Sequence, residues 1–175
     1  MEKLQYCKVR EVKSPCRAHP FDAGIDFFVP TNLDVATFRA KCEVTKDFVE
    51  IVEENGIVKK MILKPGQSVL IPSGIKVKVP ENMMLQFTNK SGIASKRHLI
   101  VGANVVDTFY EGECHINLHN VGTTEQTIEA GDKIVQGILI PVACYETEDL
   151  GNAETLYHNQ DSTRGEGGFG SSGTK

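Results

Sequence analysis

Short runs of Val, Ile and Leu, separated by Gly, Pro and Asn, recur along most of this chain. Branched side chains suit a pleated sheet, whereas Gly, Pro and Asn suit the turns between strands, so such runs indicate β-strands. The clearest runs are residues 68–71, 75–79, 84–88, 115–120 and 133–142. Because long amphipathic helical patterns are missing from the sequence, it predicts an all-β sandwich or barrel.

The run at residues 75–79 also indicates which side chains are buried. Lys76 and Lys78 alternate there with three apolar residues. Successive side chains of a strand point to opposite faces of the sheet. The pattern therefore predicts one half-buried strand that keeps its lysines in solvent.

Residues 34–60 allow two interpretations. Apolar residues such as Val44 and Phe48 have helical spacing, whereas the Asn-Gly pair at 55–56, between two apolar runs, is a strong hairpin signal. We favour a hairpin, preceded by a short helix that begins near Asp34.

Size and charge exclude several classes of protein. At 175 residues the chain has the length of one domain, which is enough to bury a substantial core. The net charge of −4 argues against a nucleic-acid or membrane-surface binder, because such proteins need a basic face. The five cysteines are scattered without a CxxC pair, and the N-terminus lacks an apolar run. These features predict a soluble, cytoplasmic protein with reduced thiols.

The C-terminal segment is polar and rich in Gly. This composition predicts a mobile arm, residues 151–175, after a single β domain, residues 1–150. Gly-rich backbone can approach an anion closely, and Arg164 with Ser171 could add hydrogen-bond donors. A base could stack on the lone aromatic residue, Phe169. The ordinary alternative is a flexible linker.

Two further clusters combine polar groups. Residues 89–96 bring a cation, a hydroxyl and a glycine together after a strand, although a solvated turn would explain them equally well. Asp107 could deprotonate a water and Tyr110 could pack on a sugar, although a turn Asp and a core Tyr are the ordinary alternative.

His115 and His119 would lie about 13 Å apart along a strand, too far to chelate one metal, so we interpret them as structural or surface residues.

Five segments of the chain, taken in order, resemble the five motifs of the trimeric dUTPase family. They are DAGIDFF (22–28), NKSGIAS (89–95), GANVVDTFYEGE (102–113), GDKIVQ (131–136) and RGEGGFGSSG (164–173). Each motif alone is modest, but five in the family's order and spacing are specific. The resemblance implies a jelly-roll-like β-barrel, a homotrimer whose sites combine several subunits, and hydrolysis of dUTP to dUMP and pyrophosphate. Such an enzyme keeps uracil out of DNA and supplies dUMP for thymidylate synthesis.

The resemblance also implies roles for single residues. Asp107 would be the general base that positions the attacking water, and Tyr110 would stack on the deoxyribose and disfavour a 2′-hydroxyl. Uracil would be read largely by the backbone of a hairpin formed by Ala103, Asn104, Val105 and Val106. The triphosphate would be held by Lys90, Ser91, Gly92, Gln136, Arg164, Gly170, Ser171 and Ser172, with Phe169 closing over the base. Asp26 would support the cofactor, Mg²⁺, through its water shell.

Three features depart from the family pattern. Lys90 stands where the family usually has Arg, so a compact ammonium replaces a bidentate fork. Asn104 stands where Gly is usual, and it is expected to keep the turn because Asn tolerates a positive φ. The segment of residues 34–60 is longer than the family normally carries between its first two motifs. This length suggests an added arm or hairpin and a candidate surface for a protein partner.

Two other functions stay open at this point. A dCTP deaminase, or a bifunctional deaminase, shares the fold and much of the motif order, but its chemistry needs a carboxylate base where this chain has Asn117. A nucleotide-dependent regulatory protein could use residues 34–60 as its interface. Against that second alternative, Asp107 and the C-terminal motif are both intact.

Overall fold

The structure is a computed structural model that describes residues 3–157, 162, 163, 165 and 167. Its Cα positions group into two units, residues 1–143 and 144–175. Five predicted site residues lie outside the described residues, namely Arg164, Phe169, Gly170, Ser171 and Ser172. Their roles, and the predicted division of the chain after residue 150, stay predictions.

Strands make up most of the regular structure in the first unit, which confirms the predicted all-β class. They are β1 Gln5–Lys8, β2 Ile25–Phe28, β3 Glu50–Glu54, β4 Ile57–Leu63, β5 Ser68–Pro72, β6 Ile75–Lys78, β7 Met83–Asn89, β8 Leu99–Val101, β9 Val105–Val106, β10 His115–Asn120, β11 Gln126–Glu129 and β12 Lys133–Pro141. Two helices accompany them, α1 Val35–Thr45 and α2 Ser91–Arg97, and the second unit carries α3 Ala153–Leu156. None of these helices, found in the described residues, has the length and apolar composition needed to cross a bilayer.

The strands form four antiparallel sheets. The largest has the order β2-β12-β7-β9, and a second has the order β5-β10-β8. The other two are β11-β4-β3 and β1-β6. In the largest sheet Phe27 and Phe87 meet edge to face, with ring centroids 4.8 Å apart. Gly137 gives them room, because an added Cβ there would lie 2.8 Å from the Phe27 ring.

Strand β6 has the predicted alternation of buried and exposed side chains. Ile75 and Val77 are buried, whereas Lys76 and Lys78 are exposed. The strand pairs with β1, which joins the N-terminal segment to the core.

Residues 34–60 form a helix followed by a hairpin, as the sequence predicted. Asp34 caps α1, since its Oδ1 accepts a hydrogen bond from the Thr37 N–H at 2.8 Å. Strands β3 and β4 pair across Asn55 and Gly56. The φ values of these two residues are 53° and 76°, which matches the left-handed geometry of a tight hairpin turn.

This helix and hairpin are built into the core. Phe38 and Cys42 of α1 are buried, and so are Val49 and Val58 of the hairpin region. Strand β4 also pairs with β11, which lies more than sixty residues further along the chain. Of the expected arm or hairpin, the structure has the hairpin, which pairs within a sheet, while the helix before it buries an aromatic side chain.

Candidate active site

A tight turn after β9 holds Asp107 at the protein surface. Thr108 Oγ1 donates a hydrogen bond to the Met83 carbonyl at 2.7 Å, and the Tyr110 N–H donates to the Asp107 carbonyl at 3.3 Å. Phe109 has a φ of 68° and is 83% exposed. Strand alternation therefore stops at Asp107, whose carboxylate is exposed on a backbone that is anchored on both sides.

The side chain of Tyr110 is oriented by its neighbours. Its hydroxyl donates to the Glu113 carbonyl at 3.2 Å, and an added Cβ at Gly112 would lie 2.2 Å from that hydroxyl. The Glu113 carboxylate in turn accepts hydrogen bonds from Arg10 Nε, at 2.9 Å, and from Arg10 Nη2, at 3.1 Å. With 45% of its surface exposed, the Tyr110 ring is available for a flat ligand to pack on it.

Asp107 and Tyr110 border a cavity of about 310 Å³. Its lining combines the predicted hairpin, the turn after it and residues of three further strands: Leu70, Phe87, Ala103, Asn104, Val105, Val106, Asp107, Tyr110, Cys114 and His115. The structure thus brings together, on one cavity, the carboxylate, the tyrosine and the four hairpin residues that the sequence singled out. We call this the carboxylate cavity.

His115 belongs to the carboxylate cavity, a position that the sequence analysis missed. Burial lowers the pKa of its imidazole, and the charge of Lys41 lowers it further. Its Nε2 is buried and has no hydrogen-bond partner among the described residues. Alternation along β10 predicts that His115 shares a face of the strand with Asn117. It does not predict a cavity over that face, because the residues that complete the cavity belong to other segments of the chain.

The backbone of the hairpin loop is held between two strands. The Ala103 N–H donates to Asn117 Oδ1 at 2.9 Å, and the Asn104 carbonyl accepts from the Phe87 N–H at 2.7 Å. Asn104 is not among the described residues with a positive φ, so the expectation that it needs one is wrong. Hydrogen bonds from both sides shape this loop, and the left-handed residue falls in the next turn, at Phe109.

A second cavity, of about 350 Å³, lies at the start of α2. Its lining residues are Lys90, Ser91, Gly92, Ile93, Lys133 and Gln136. The segment forms a short helix after Lys90 where the alternative interpretation had a turn, and Ser91 and Gly92 are exposed, as that interpretation expected. Gln136 is fixed by its Nε2, which donates to the Asn89 carbonyl at 2.9 Å. We call this the lysine cavity.

Asp26 joins the two lysines of the lysine cavity. Its carboxylate is 5% exposed and pairs with the Lys90 ammonium and, at 3.0 Å, with the Lys133 ammonium. Burial by itself raises the pKa of Asp26, but the hydrogen bonds and charges of the two lysines outweigh it and hold the pKa below its usual 3.8. Lys133 was not predicted as a site residue from the sequence. The signal that could have identified it is the single cation in the motif GDKIVQ.

The ion pairs that Asp26 forms with Lys90 and Lys133 predict that the Asp26→Asn variant loses stability in a pH-dependent way. Because the folded pKa is lowered, the pairs stabilise the protein above about pH 4 and lose that contribution as the pH falls through the folded pKa. At pH 7 the variant should therefore unfold at a lower urea concentration than the wild type. The difference between the two unfolding midpoints should become smaller below pH 4. Urea unfolding at pH 7, 5 and 3 measures this, with the exposed Glu125→Gln as control. Equal stability of Asp26→Asn and wild type at pH 7 would contradict it.

The described residues do not form a protein cage for a metal ion. Among them, no group of three or more His, Cys, Asp or Glu side chains is close enough to hold one. Asp26, the predicted magnesium-supporting residue, has both oxygens in contact with lysines. Mg²⁺ commonly binds through substrate phosphates and keeps several waters. The residues present would fit an ion that arrives with a polyphosphate, because both oxygens of Asp26 are already in contact with lysines.

The fold and the two cavities define an all-β protein with a carboxylate-and-tyrosine site and a separate lysine-lined site. A family model described as dUTPase matches residues 56–173. The deoxyuridine 5′-triphosphate nucleotidohydrolase of Gloeothece citriformis is 36% identical over 118 residues, which cover 66% of this chain and 77% of the relative. The protein of the same name from Clostridium novyi is 30% identical over 161 residues, which cover 91% of this chain and 89% of the relative. The chain belongs to the dUTPase family.

Solved structures of phage dUTPases have the same fold. A mutant dUTPase of Staphylococcus bacteriophage 80alpha, solved with dUpNHpp, has a TM-score of 0.73 at 22% identity and covers 99% of both chains. A mutant dUTPase of phage phi11 of S. aureus has a TM-score of 0.65 at 21% identity, and its structure describes the coordination of a structural Mg(II) ion. It covers 87% of this chain and 99% of that one.

Proposed function

We propose that this chain is a dUTP diphosphatase, which hydrolyses dUTP to dUMP and pyrophosphate by water attack at the α-phosphate. The observation that carries the mechanism is the carboxylate cavity, where one exposed carboxylate, one oriented tyrosine and a fixed backbone loop meet. Family membership supports the same activity. In a cell this reaction limits uracil in DNA and supplies dUMP for thymidylate synthesis.

In this proposal the carboxylate cavity takes the nucleoside. Uracil lies against the backbone of residues 103–106, where a rigid loop can match the edge of one base and leave no room for a C5 methyl. Tyr110 packs on the deoxyribose. Asp107 accepts a proton from the attacking water while the oxygen of that water bonds to the α-phosphorus. The bond from the α-phosphorus to the bridging oxygen breaks, and pyrophosphate leaves.

The lysine cavity takes phosphates. A triphosphate carries about four negative charges, and hydrolysis requires those charges to be neutralised and aligned. Lys90 and Lys133 supply two cations that Asp26 holds in position, while Ser91, Gly92 and Gln136 supply neutral donors. Mg²⁺, when bound with dUTP, adds further charge neutralisation. From the sequence motif alone, Arg164, Gly170, Ser171 and Ser172 are proposed to complete the phosphate contacts, and Phe169 is proposed to close over the base.

The spacing of the two cavities supports a site shared between subunits. Val106 lies opposite Leu85 of β7, and the extended residue Lys90 follows the end of that strand, five residues after Leu85, which is about 17 Å at about 3.3 Å per residue. That separation is too large for Asp107 and Lys90 of one chain to act on neighbouring phosphates of one nucleotide. We therefore propose a homotrimer, as in the family, in which one chain supplies Asp107 and another supplies Lys90. Sedimentation equilibrium measures the subunit number, and a monomer with full activity would exclude this arrangement.

A protein partner at residues 34–60 stays a prediction. Val44, Phe48 and Val52 are exposed on this segment, whereas Phe38 is part of the core. Deleting the segment would remove core residues, so a deletion cannot test the interface. Exchange of Phe48 and Val52 for Ser, compared in pull-down with and without dUTP, separates binding from folding.

The deaminase alternative is not favoured by the residue at the position of its base. That residue, Asn117, is an amide whose Nδ2 donates to the Val69 carbonyl at 3.0 Å and whose Oδ1 accepts from the Ala103 N–H. It is committed to the loop and carries no carboxylate to take a proton.

The substrate test compares pyrophosphate release from dUTP, dTTP, dCTP and UTP in the presence of magnesium. The intact protein should prefer dUTP by at least about 100-fold, because dCTP presents a different base edge to the loop, dTTP adds a C5 methyl, and UTP adds a 2′-hydroxyl next to Tyr110. A chain ending at residue 163 should lose most of its turnover while it keeps the thermal stability of the core. No release from dUTP would overturn the proposed activity, and full turnover by the shortened chain would overturn the role of the C-terminal motif.

A further inference from the structure

We propose that Asn117 is a positioning residue that holds the loop at residues 102–104 in the shape that selects the base. This inference rests on the proposed function, because it assumes that the loop reads uracil. Asn117 is absent from the residues that line the carboxylate cavity, which is why we place its action in the loop.

The Asn117 carboxamide links three parts of the fold. Its Oδ1 accepts from the Ala103 N–H at 2.9 Å, and its Nδ2 donates to the Val69 carbonyl of β5 at 3.0 Å. The same Oδ1 lies 3.2 Å from His119 Nε2. The side chain therefore ties the loop to two neighbouring strands.

The chemistry of these partners fixes the orientation of the amide. A backbone carbonyl only accepts and a backbone N–H only donates, so Nδ2 must face Val69 and Oδ1 must face Ala103. Oδ1 is an acceptor, so His119 Nε2 must carry a proton and donate to it. A reversed amide would lose the hydrogen bonds with Val69 and Ala103 and would require the other tautomer of His119, which gives Asn117 one favoured orientation.

The loop itself leaves little room for another arrangement. An added Cβ at Gly102 would lie 2.2 Å from Asn117 Oδ1 and 2.3 Å from His119 Nε2. The Gly102 N–H also donates to the Asn117 carbonyl at 3.0 Å, so the backbone and the side chain of Asn117 hold consecutive loop residues. On the other side of the loop, the Phe87 N–H binds the Asn104 carbonyl.

Selection of a base by backbone groups depends on the spacing of those groups. Ala103 and Asn104 both line the carboxylate cavity, and the Ala103 N–H is already used by Asn117. The base must therefore be bound by other backbone groups of the loop. The hydrogen bond from the Ala103 N–H to Asn117 sets the position of those groups. Loss of the Asn117 acceptor should loosen the loop and weaken base recognition more than it slows the chemical step.

The test compares Asn117→Leu, Asn117→Asp and Asn120→Leu. The first keeps the shape and removes every side-chain hydrogen bond, whereas the second keeps an acceptor for Ala103. Asn120 is a matched control, because it is a buried amide on the same strand that binds the Leu63 and Thr124 carbonyls. The measurements are kcat and KM for dUTP, the preference for dUTP over dTTP, and hydrogen–deuterium exchange at the Ala103 amide.

For Asn117→Leu we expect KM to rise about tenfold, the preference for dUTP to fall by a similar factor, kcat to change less, and Ala103 to exchange faster. Asn117→Asp should stay closer to the wild type in KM, in base preference and in exchange at Ala103. Asn120→Leu should lower the melting temperature and leave base preference unchanged.

Three results would overturn the inference. They are wild-type KM and preference in Asn117→Leu, unchanged exchange at Ala103, or an equal loss of preference in Asn120→Leu. If the wild type itself did not hydrolyse dUTP, the proposed function would fail, and exchange at Ala103 would still decide whether Asn117 holds the loop.

Discussion

Replacing Asp107 with Asn should lower kcat for dUTP by about 100-fold to 10,000-fold, the usual contribution of a positioned general base. The amide keeps the size of the side chain but cannot take a proton from the attacking water. Asp107 is exposed and its turn is held by other residues, so the free energy of unfolding should change by less than about 0.5 kcal/mol. Pyrophosphate release at saturating dUTP measures kcat, and urea unfolding measures stability.

Glu111→Gln is the matched control for this experiment. Glu111 is an exposed carboxylate four residues after Asp107, and the substitution makes the same chemical change in the same region. It should leave kcat within about twofold of the wild type. Wild-type turnover by Asp107→Asn would remove Asp107 from the mechanism, and loss of turnover in Glu111→Gln alone would point to that carboxylate as the base.

Replacing Phe38 with Ala should lower the free energy of unfolding by about 3–5 kcal/mol. Phe38 is fully buried in α1, and its removal leaves a cavity the size of a phenyl ring. Urea unfolding at one fixed protein concentration measures the change, because subunit association would also shift the transition. An effect of this size would show that the helix and hairpin at residues 34–60 are part of the folding unit.

The matched control is Phe48→Ala in the same segment. Phe48 is 55% exposed, so the same truncation should cost less than about 1 kcal/mol. If both variants were equally stable and close to the wild type, the segment would be peripheral to the core. If Phe48→Ala were the more damaging of the two, the packing described for α1 would be wrong.

Local pattern predicted most of the fold. The alternation at residues 75–79, the hairpin at Asn55 and Gly56, and the cap at Asp34 all depend on neighbours in sequence. Strand β10 was predicted with the bounds that the structure has, His115–Asn120. Each of these features follows from side-chain period or backbone preference within a few residues.

The candidate site was predicted in part. The residues of the motifs, such as Asp107, Tyr110 and Lys90, were found because the motifs are contiguous in sequence. Lys133 and Asn117 were not selected for the site, since each contacts a residue far away in the chain. Lys133 meets Asp26, and Asn117 meets Ala103.

The sequence by itself determined the class of the fold, the family, and the groups available for the chemistry, because strand period, turn residues and motif order are written in the order of residues. Only the tertiary structure decided that residues of the 34–60 segment belong to the core, that Asp26 pairs with two lysines, and that Asn117 accepts a hydrogen bond from Ala103. These facts depend on which strands become neighbours. Sheet pairing joins distant segments, and no local preference of one segment specifies its partner.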